Sequence, residues 1–226
     1  MSSTTATTPV IITIDGPSGS GKGTLSQKLA QHLGYHLLDS GALYRLVALA
    51  AMKQQVDLQD QPALEQVAAN LDVRFLVNGD RTQILLATED VTDLIRTEAV
   101  GMNASQVAAY TGVRAALLER QHAFAQLPGL VADGRDMGTT VFPSANKKIF
   151  LTASAEARAD RRCKQLLAKG VNANWDEIVR DIRERDDRDT NRSVSPLKPA
   201  ADAVVIDSTQ MNIEQVLATM LAIVNA

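Results

Sequence analysis

The sequence predicts an α/β fold built on a parallel sheet, and two patterns carry that expectation. Short β-branched runs recur along the chain and end in Asp or Gly, and helical stretches alternate with them. The alternation breaks once, in a segment of antiparallel character.

Taken in order, residues 10–14 (VIITI) form a β-branched run without regular alternation, as suits a strand buried on both faces of a parallel sheet. Residues 24–33 place apolar side chains at 25, 29, 30 and 33, a helical period, and Gly34 stands where a helix C-terminal glycine belongs. Residues 36–38 read as a second strand, and residues 42–53 as a helix whose few charges predict deep burial. Residues 73–77, a turn at Asn78-Gly79-Asp80 and residues 83–87 read as a β-hairpin, with residues 88–91 as a third short strand. They suggest a small antiparallel insert over about residues 62–103. Strands follow at 129–132 (closed by Asp133-Gly134), 148–151 and 203–206, and an amphipathic helix at 213–224.

The 226 residues suit one domain, or one domain with a modest insertion. A content of 45% hydrophobic and 22% charged residues is of globular type, and a net charge of −3 weighs against nucleic-acid polymers and anionic membranes. One cysteine excludes a disulfide framework and a Cys-based zinc finger, and three histidines leave little for a His-rich metal centre. The longest apolar run, residues 46–52, is far shorter than the ~20 residues that span a bilayer. Residues 1–9 (MSSTTATTP) lack the basic and apolar regions of a signal peptide and read as a disordered tail, so the expected compartment is the cytoplasm.

Chemistry enters at Gly16, Pro17, Ser18, Gly19, Ser20, Gly21, Lys22, Gly23 and Thr24. This G-x-x-x-x-G-K run follows the first strand and opens the first helix, the setting that a phosphate-binding loop requires. The glycines let backbone N–H groups turn toward one point, the helix N-terminus adds partial positive charge, and Lys22 adds a full one. The residue after Lys22 is Gly23 and the hydroxyl moves to Thr24, so Mg²⁺ is expected to be held mainly by phosphates and water.

Nine of the fifteen arginines lie between Arg135 and Arg192. Phosphoryl transfer needs charge neutralisation over phosphate oxygens, and the planar fork of arginine suits it. Arg158, Arg161 and Arg162 share one helix face by their spacing, and Arg185, Arg188 and Arg192 repeat the rhythm; the bland reading is a solvated face paired with Asp160, Asp181, Glu184, Asp186, Asp187 and Asp189. Asp133 ends an apolar strand in the manner of a carboxylate near Mg²⁺, with Arg135 and Asp136 in the loop after it. Ser40, Tyr44 and Arg45 follow the second strand. Cys163 lies beside the arginines and reads as an inert helix residue.

The blocks GPSGSGKGT, LLDSGALYR, DGRDMGT and ERDDRDTNR, in this order and spacing, resemble the bacterial-type cytidylate kinases. The resemblance covers the chain after its tail. It implies a three-layer P-loop NTPase fold with a five-stranded parallel sheet, an enlarged monophosphate-binding insert over about 62–103 and a helical lid near 158–174, all within a single kinase domain over 10–226. It implies transfer of phosphoryl from ATP to CMP or dCMP with Mg²⁺, by a monomer. Carried over by position, residues 16–24 hold the ATP phosphates, and Arg45, Arg135 and Arg192 face the acceptor phosphate. Ser40, Tyr44, Arg185 and Asp189 face sugar or phosphate, and Ser105, Arg114 and Asp136 read cytosine. Arg158 and Arg162 reach the transferring phosphoryl, while Thr24 and Asp133 are the candidates for water-mediated contact with Mg²⁺. Two alternatives stand beside this reading: another small-molecule kinase, of shikimate- or adenylate-kinase type, and a non-catalytic ATP-sensing module.

Overall fold

The computed structural model describes residues 8–78, 81–168 and 170–226. Most of the expected N-terminal tail lies outside these residues. So do Gly79 and Asp80 of the expected hairpin turn and Lys169 of the expected lid turn. The chain divides into two compact units, residues 1–39 with 121–226, and residues 40–120.

The first unit is built on five parallel strands, β1 (Val10–Asp15), β2 (His36–Asp39), β6 (Gly129–Gly134), β7 (Lys147–Thr152) and β8 (Val204–Asp207), in the order β2-β6-β1-β7-β8. The strands of the second unit, described below, are numbered β3 to β5. β1 is central, and chain order reverses around it, which opens a crevice at its carboxyl end. Along β1 the side chains alternate: Ile12 and Ile14 enter an apolar cluster with Leu25, Leu29, Val131, Ile149, Val216 and Met220, while Thr13 and Asp15 face the other side of the sheet. α1 (Lys22–Leu33) and α8 (Ile213–Asn225) pack on the cluster side, and α1 ends at Gly34 with φ 67, as its position predicts. In this unit the observed strands and helices extend the expected ranges by one or two residues, except β8, which runs over 204–207 rather than 203–206.

After β6 comes a feature the sequence did not announce, a single π-helical turn at Met137–Val141. Such turns are rare and are frequent at functional sites. α6 (Ala155–Ala168) and α7 (Trp175–Asn191) then run through the expected lid region, with the Asn174 side chain capping α7. The arginine partners are largely between helices: Arg158 pairs with Asp186, and Arg183 with Glu156 at 2.5 Å.

The second unit holds more helix than the expected hairpin insert. α2 (Ser40–Lys53) starts two residues earlier than predicted and buries ten of its fourteen residues. α3 (Gln61–Ala69) opens with the Asp60 side chain accepting from Ala63 N and with Pro62 in its first turn. The antiparallel sheet is β3 (Val73–Asn78), β4 (Arg81–Leu86) and β5 (Glu89–Asp90). β4 ends at Leu86, short of the expected residue 87, because Ala87 takes φ 54 in the tight turn that pairs Leu86 with Glu89. A 3₁₀ turn (Leu94–Arg96), α4 (Glu98–Val107) and α5 (Thr111–His122) complete the helical set. Among the described residues no helix is long and apolar enough to cross a membrane.

Candidate active site

The Gly-rich loop leaves β1 at its buried carboxyl end. Gly16 has φ 152, and a Cβ there would lie 2.0 Å from the Leu151 carbonyl oxygen, so only glycine passes this point. The N-cap of α1 is Gly21 at φ 93, which brings no side chain to the helix N-terminus. The first-turn N–H groups have no N-cap side chain competing for them, as suits an anion site at a helix N-terminus.

Two arginines of α6 hold this loop by its carbonyls. Arg158, 3% exposed, donates through Nη1 to Ser18 O at 2.9 Å and Asp186 Oδ1 at 3.0 Å, through Nη2 to Asp186 Oδ2, and through Nε to Ala153 O at 2.9 Å. Arg161 donates to Ser20 O at 3.2 Å, and to the carbonyl and hydroxyl oxygens of Ser208. In a planar trans peptide the C=O and the following N–H point opposite ways. Anchoring Ser18 O and Ser20 O therefore turns Gly19 N–H and Gly21 N–H away from the arginines. The sequence reading places Arg158 at the transferring phosphoryl, whereas here its fork is directed to the loop backbone and Asp186. Arg162 lies one turn beyond it on α6 and is half-buried.

Lys22 is buried, with Nζ donating to Pro17 O at 3.0 Å. Burial, and then the Arg135 and Arg185 guanidiniums, lower its pKa to about 7, against the pull of Asp133 and Asp39. Asp133 is pushed up to about 7 by burial, opposed by Lys22 and Arg135 and reinforced by Asp39. Asp39 and Asp133 are register partners at the ends of β2 and β6. Gly23 belongs to the same corner: a Cβ there would lie 3.5 Å from Asp133 Oδ2. Burial thus disfavours charge on both the lysine and the carboxylate of this corner.

Among the described residues no group of three or more His, Cys, Asp or Glu is arranged to hold a metal ion. The donors still fit Mg²⁺, which keeps several waters and needs only one or two protein carboxylates beside phosphate oxygens. Asp133 is a buried carboxylate whose charge burial disfavours, and exposed Thr24 offers a hydroxyl at the start of α1.

The loop after β6 carries two further pairs. Arg135 Nε meets Asp189 Oδ2 at 3.0 Å, and Arg192 Nη2 lies 4.0 Å from Asp136 Oδ1, with both members of the second pair buried. Asp15, absent from the predicted set, fixes this loop. Its carboxylate accepts from Met137 N and Gly138 N, each at 2.8 Å, directly after Asp136. Burial nevertheless pushes the Asp15 carboxyl up to about 6, overriding the two backbone hydrogen bonds. Asp39 and Arg161 were also missing from the predicted set.

The second unit carries the remaining predicted residues. Ser40 opens α2 and is buried. The Arg114 guanidinium lies over the Tyr44 ring at 5.6 Å and donates to Ala108 O at 3.2 Å. Arg45 Nη1 donates to Ile95 O at 2.6 Å and to Thr97 O at 3.1 Å. Ser105 is buried on α4.

The family model that matches, described as Cytidylate kinase, spans residues 12–226. The cytidylate kinase of Aeromonas hydrophila is 60% identical over 212 residues, covering 94% of this chain and 92% of that protein. That of Aliivibrio salmonicida is 57% identical over 216 residues, covering 96% of both. That of Yersinia pestis is 58% identical over 218 residues, covering 96% of this chain and 94% of the relative.

Proposed function

The chain belongs to the cytidylate kinase family, and from that premise we propose that it transfers the γ-phosphoryl group of ATP to CMP and dCMP by direct in-line displacement, with Mg²⁺. The observation that carries the reading is the buried Lys22 at the Gly-rich loop, whose pKa is lowered to about 7 by burial first and then by the Arg135 and Arg185 guanidiniums beside it. Such a site is electrostatically complete only when a polyanion enters it.

The nucleophile is an oxygen of the acceptor phosphate, whose second pKa is ~6, so it is largely ionised at neutral pH and needs no general base. It forms a bond to the γ-phosphorus while the bond to the β–γ bridging oxygen breaks, and ADP leaves. Lys22 and residues 16–24, through the backbone N–H groups of all but Pro17, hold the donor phosphates, and Arg45, Arg135 and Arg192 hold the acceptor phosphate. Ser40, Tyr44, Arg185 and Asp189 orient sugar and phosphate. Arg158 sets the loop that sets the donor, and Arg162 serves the transferring group. Asp133 and Thr24 would hold Mg²⁺ through water, and the ion would supply charge neutralisation between donor oxygens.

Specificity follows from the Asp136 carboxylate, with Ser105 and Arg114 beside it in role. Cytosine presents an amino donor at N4, which a carboxylate accepts, whereas uracil presents an oxygen there. The test is the fate of label from ATP marked in its γ-phosphate. It is expected in the β-phosphate of CDP when CMP is present, with negligible release as inorganic phosphate without CMP. Label released as phosphate at the same rate with and without CMP would refute the transfer.

A further inference from the structure

Gly101 occupies the fourth position of α4, where glycine is the poorest helix former apart from proline. Nothing in its backbone asks for glycine, since it lies outside the positive-φ positions of the chain. Its surroundings do. A Cβ at residue 101 would lie 2.8 Å from Arg45 Nη2, 3.1 Å from Arg45 Nη1 and 3.2 Å from Arg45 Cζ. The three nearest atoms all belong to one guanidinium, which rests on the bare helix backbone.

The anchoring of that guanidinium is specific. Nη1 donates to Ile95 O in the 3₁₀ turn and to Thr97 O just before α4. Thr97 O also accepts from Gly101 N at 3.0 Å, using the second lone pair of the carbonyl. Arg45 therefore spans the junction between the 3₁₀ turn and α4, and the absent side chain of Gly101 leaves the space for it.

We propose that Gly101 is a positioning residue for the acceptor phosphate, acting through Arg45 by providing the seat that fixes the direction of its guanidinium fork. The inference rests on the reading of Arg45 as an acceptor-phosphate ligand. A methyl group at 101 must displace its neighbour, and that neighbour is the far end of a flexible side chain. The fold can therefore bear the methyl while the fork leaves its place. A bidentate grip on phosphate depends on that direction, and a misplacement of ~1 Å costs on the order of 100-fold in rate.

The experiment compares Gly101→Ala, Arg45→Ala and the double variant, reading KM for CMP, KM for ATP and the thermal midpoint. Gly101→Ala is expected to raise KM for CMP about 10- to 100-fold. KM for ATP is expected to stay unchanged, and the midpoint to stay level or rise as helix propensity improves. In the Arg45→Ala background the same substitution is expected to add nothing. If Gly101→Ala folds poorly but Arg45→Ala restores it, the methyl still acts on the guanidinium and the proposal stands. An unchanged KM for CMP in Gly101→Ala, where Arg45→Ala raises it, overturns the proposal while sparing the reading of Arg45. An equal rise in both backgrounds, or a folding defect that Arg45→Ala leaves uncorrected, also overturns it. If Arg45→Ala itself leaves KM for CMP unchanged, the reading of Arg45 fails, and the proposal with it.

Discussion

Asp15 offers a case in which two physical effects oppose each other inside one carboxylate. Its two backbone hydrogen bonds at 2.8 Å favour the charged form, and burial disfavours it. Burial wins, since the pKa rises from 3.8 to about 6. That difference of about two units corresponds to ~3 kcal/mol by which the folded state disfavours the charge. Because the folded pKa is raised, the folded chain binds the Asp15 proton more readily than the unfolded chain between about pH 4 and 6. Its contribution to stability therefore increases as pH falls through that window and levels off below about 4. Asp15→Asn removes the titration. Its amide oxygen can serve one N–H, while its NH₂ confronts the other, which is left unsatisfied at ~1–3 kcal/mol. At pH 7 this loss and the relief of charge burial nearly cancel, so the variant is expected to lie within about 2 kcal/mol of the parent. Urea unfolding of both proteins from pH 7 to pH 4 reads the effect. The parent is expected to gain ~3 kcal/mol on the variant as pH falls. A flat difference curve, or a variant that gains on the parent, would refute the claim that burial dominates.

Three further outcomes are expected. Asp136→Ala should raise KM for CMP and narrow the margin over UMP by about 10- to 100-fold, from the ~1–3 kcal/mol of one base-edge contact; Asp136→Asn, which spares the volume beside Arg192, should narrow it too, and an unchanged margin in both would remove Asp136 from the base site. ATP binding near pH 8 should be accompanied by uptake of up to ~1 proton, because Lys22, lowered to about 7, regains its proton against phosphate; calorimetry in buffers of different ionisation enthalpy should show uptake that Lys22→Met abolishes. Asp186→Asn and Arg158→Ala should weaken ATP binding about 10-fold by loosening the loop carbonyls, visible in equilibrium Kd, whereas a lower kcat with unchanged Kd would return Arg158 to the transition state.

Local pattern carried much of the fold. The run at residues 10–14, the Gly-rich loop and Gly34 are each defined by neighbours in sequence, and each lies where its chemistry places it. α3 is absent from the expected elements, although Asp60 and Pro62 mark its start, because its apolar period is short beside the hairpin that follows. The turn at Ala87 was hidden because an alanine occupies a backbone region where glycine or asparagine gives the usual signal. The largest gaps are tertiary. Arg158 reaches Ser18 across 140 positions, and Asp15 reaches Met137 across 122. No periodicity reports such pairings, so helix spacing presented Arg158 and Arg162 as equivalent. The structure separates them by turning Arg158 into the loop.

The claim that the site selects cytosine monophosphates is tested most directly by ADP formation from ATP with CMP, dCMP, UMP and AMP measured side by side. The kcat/KM values for CMP and dCMP are expected to lie well above those for UMP and AMP. Equal turnover of UMP, or a preference for AMP, would contradict it.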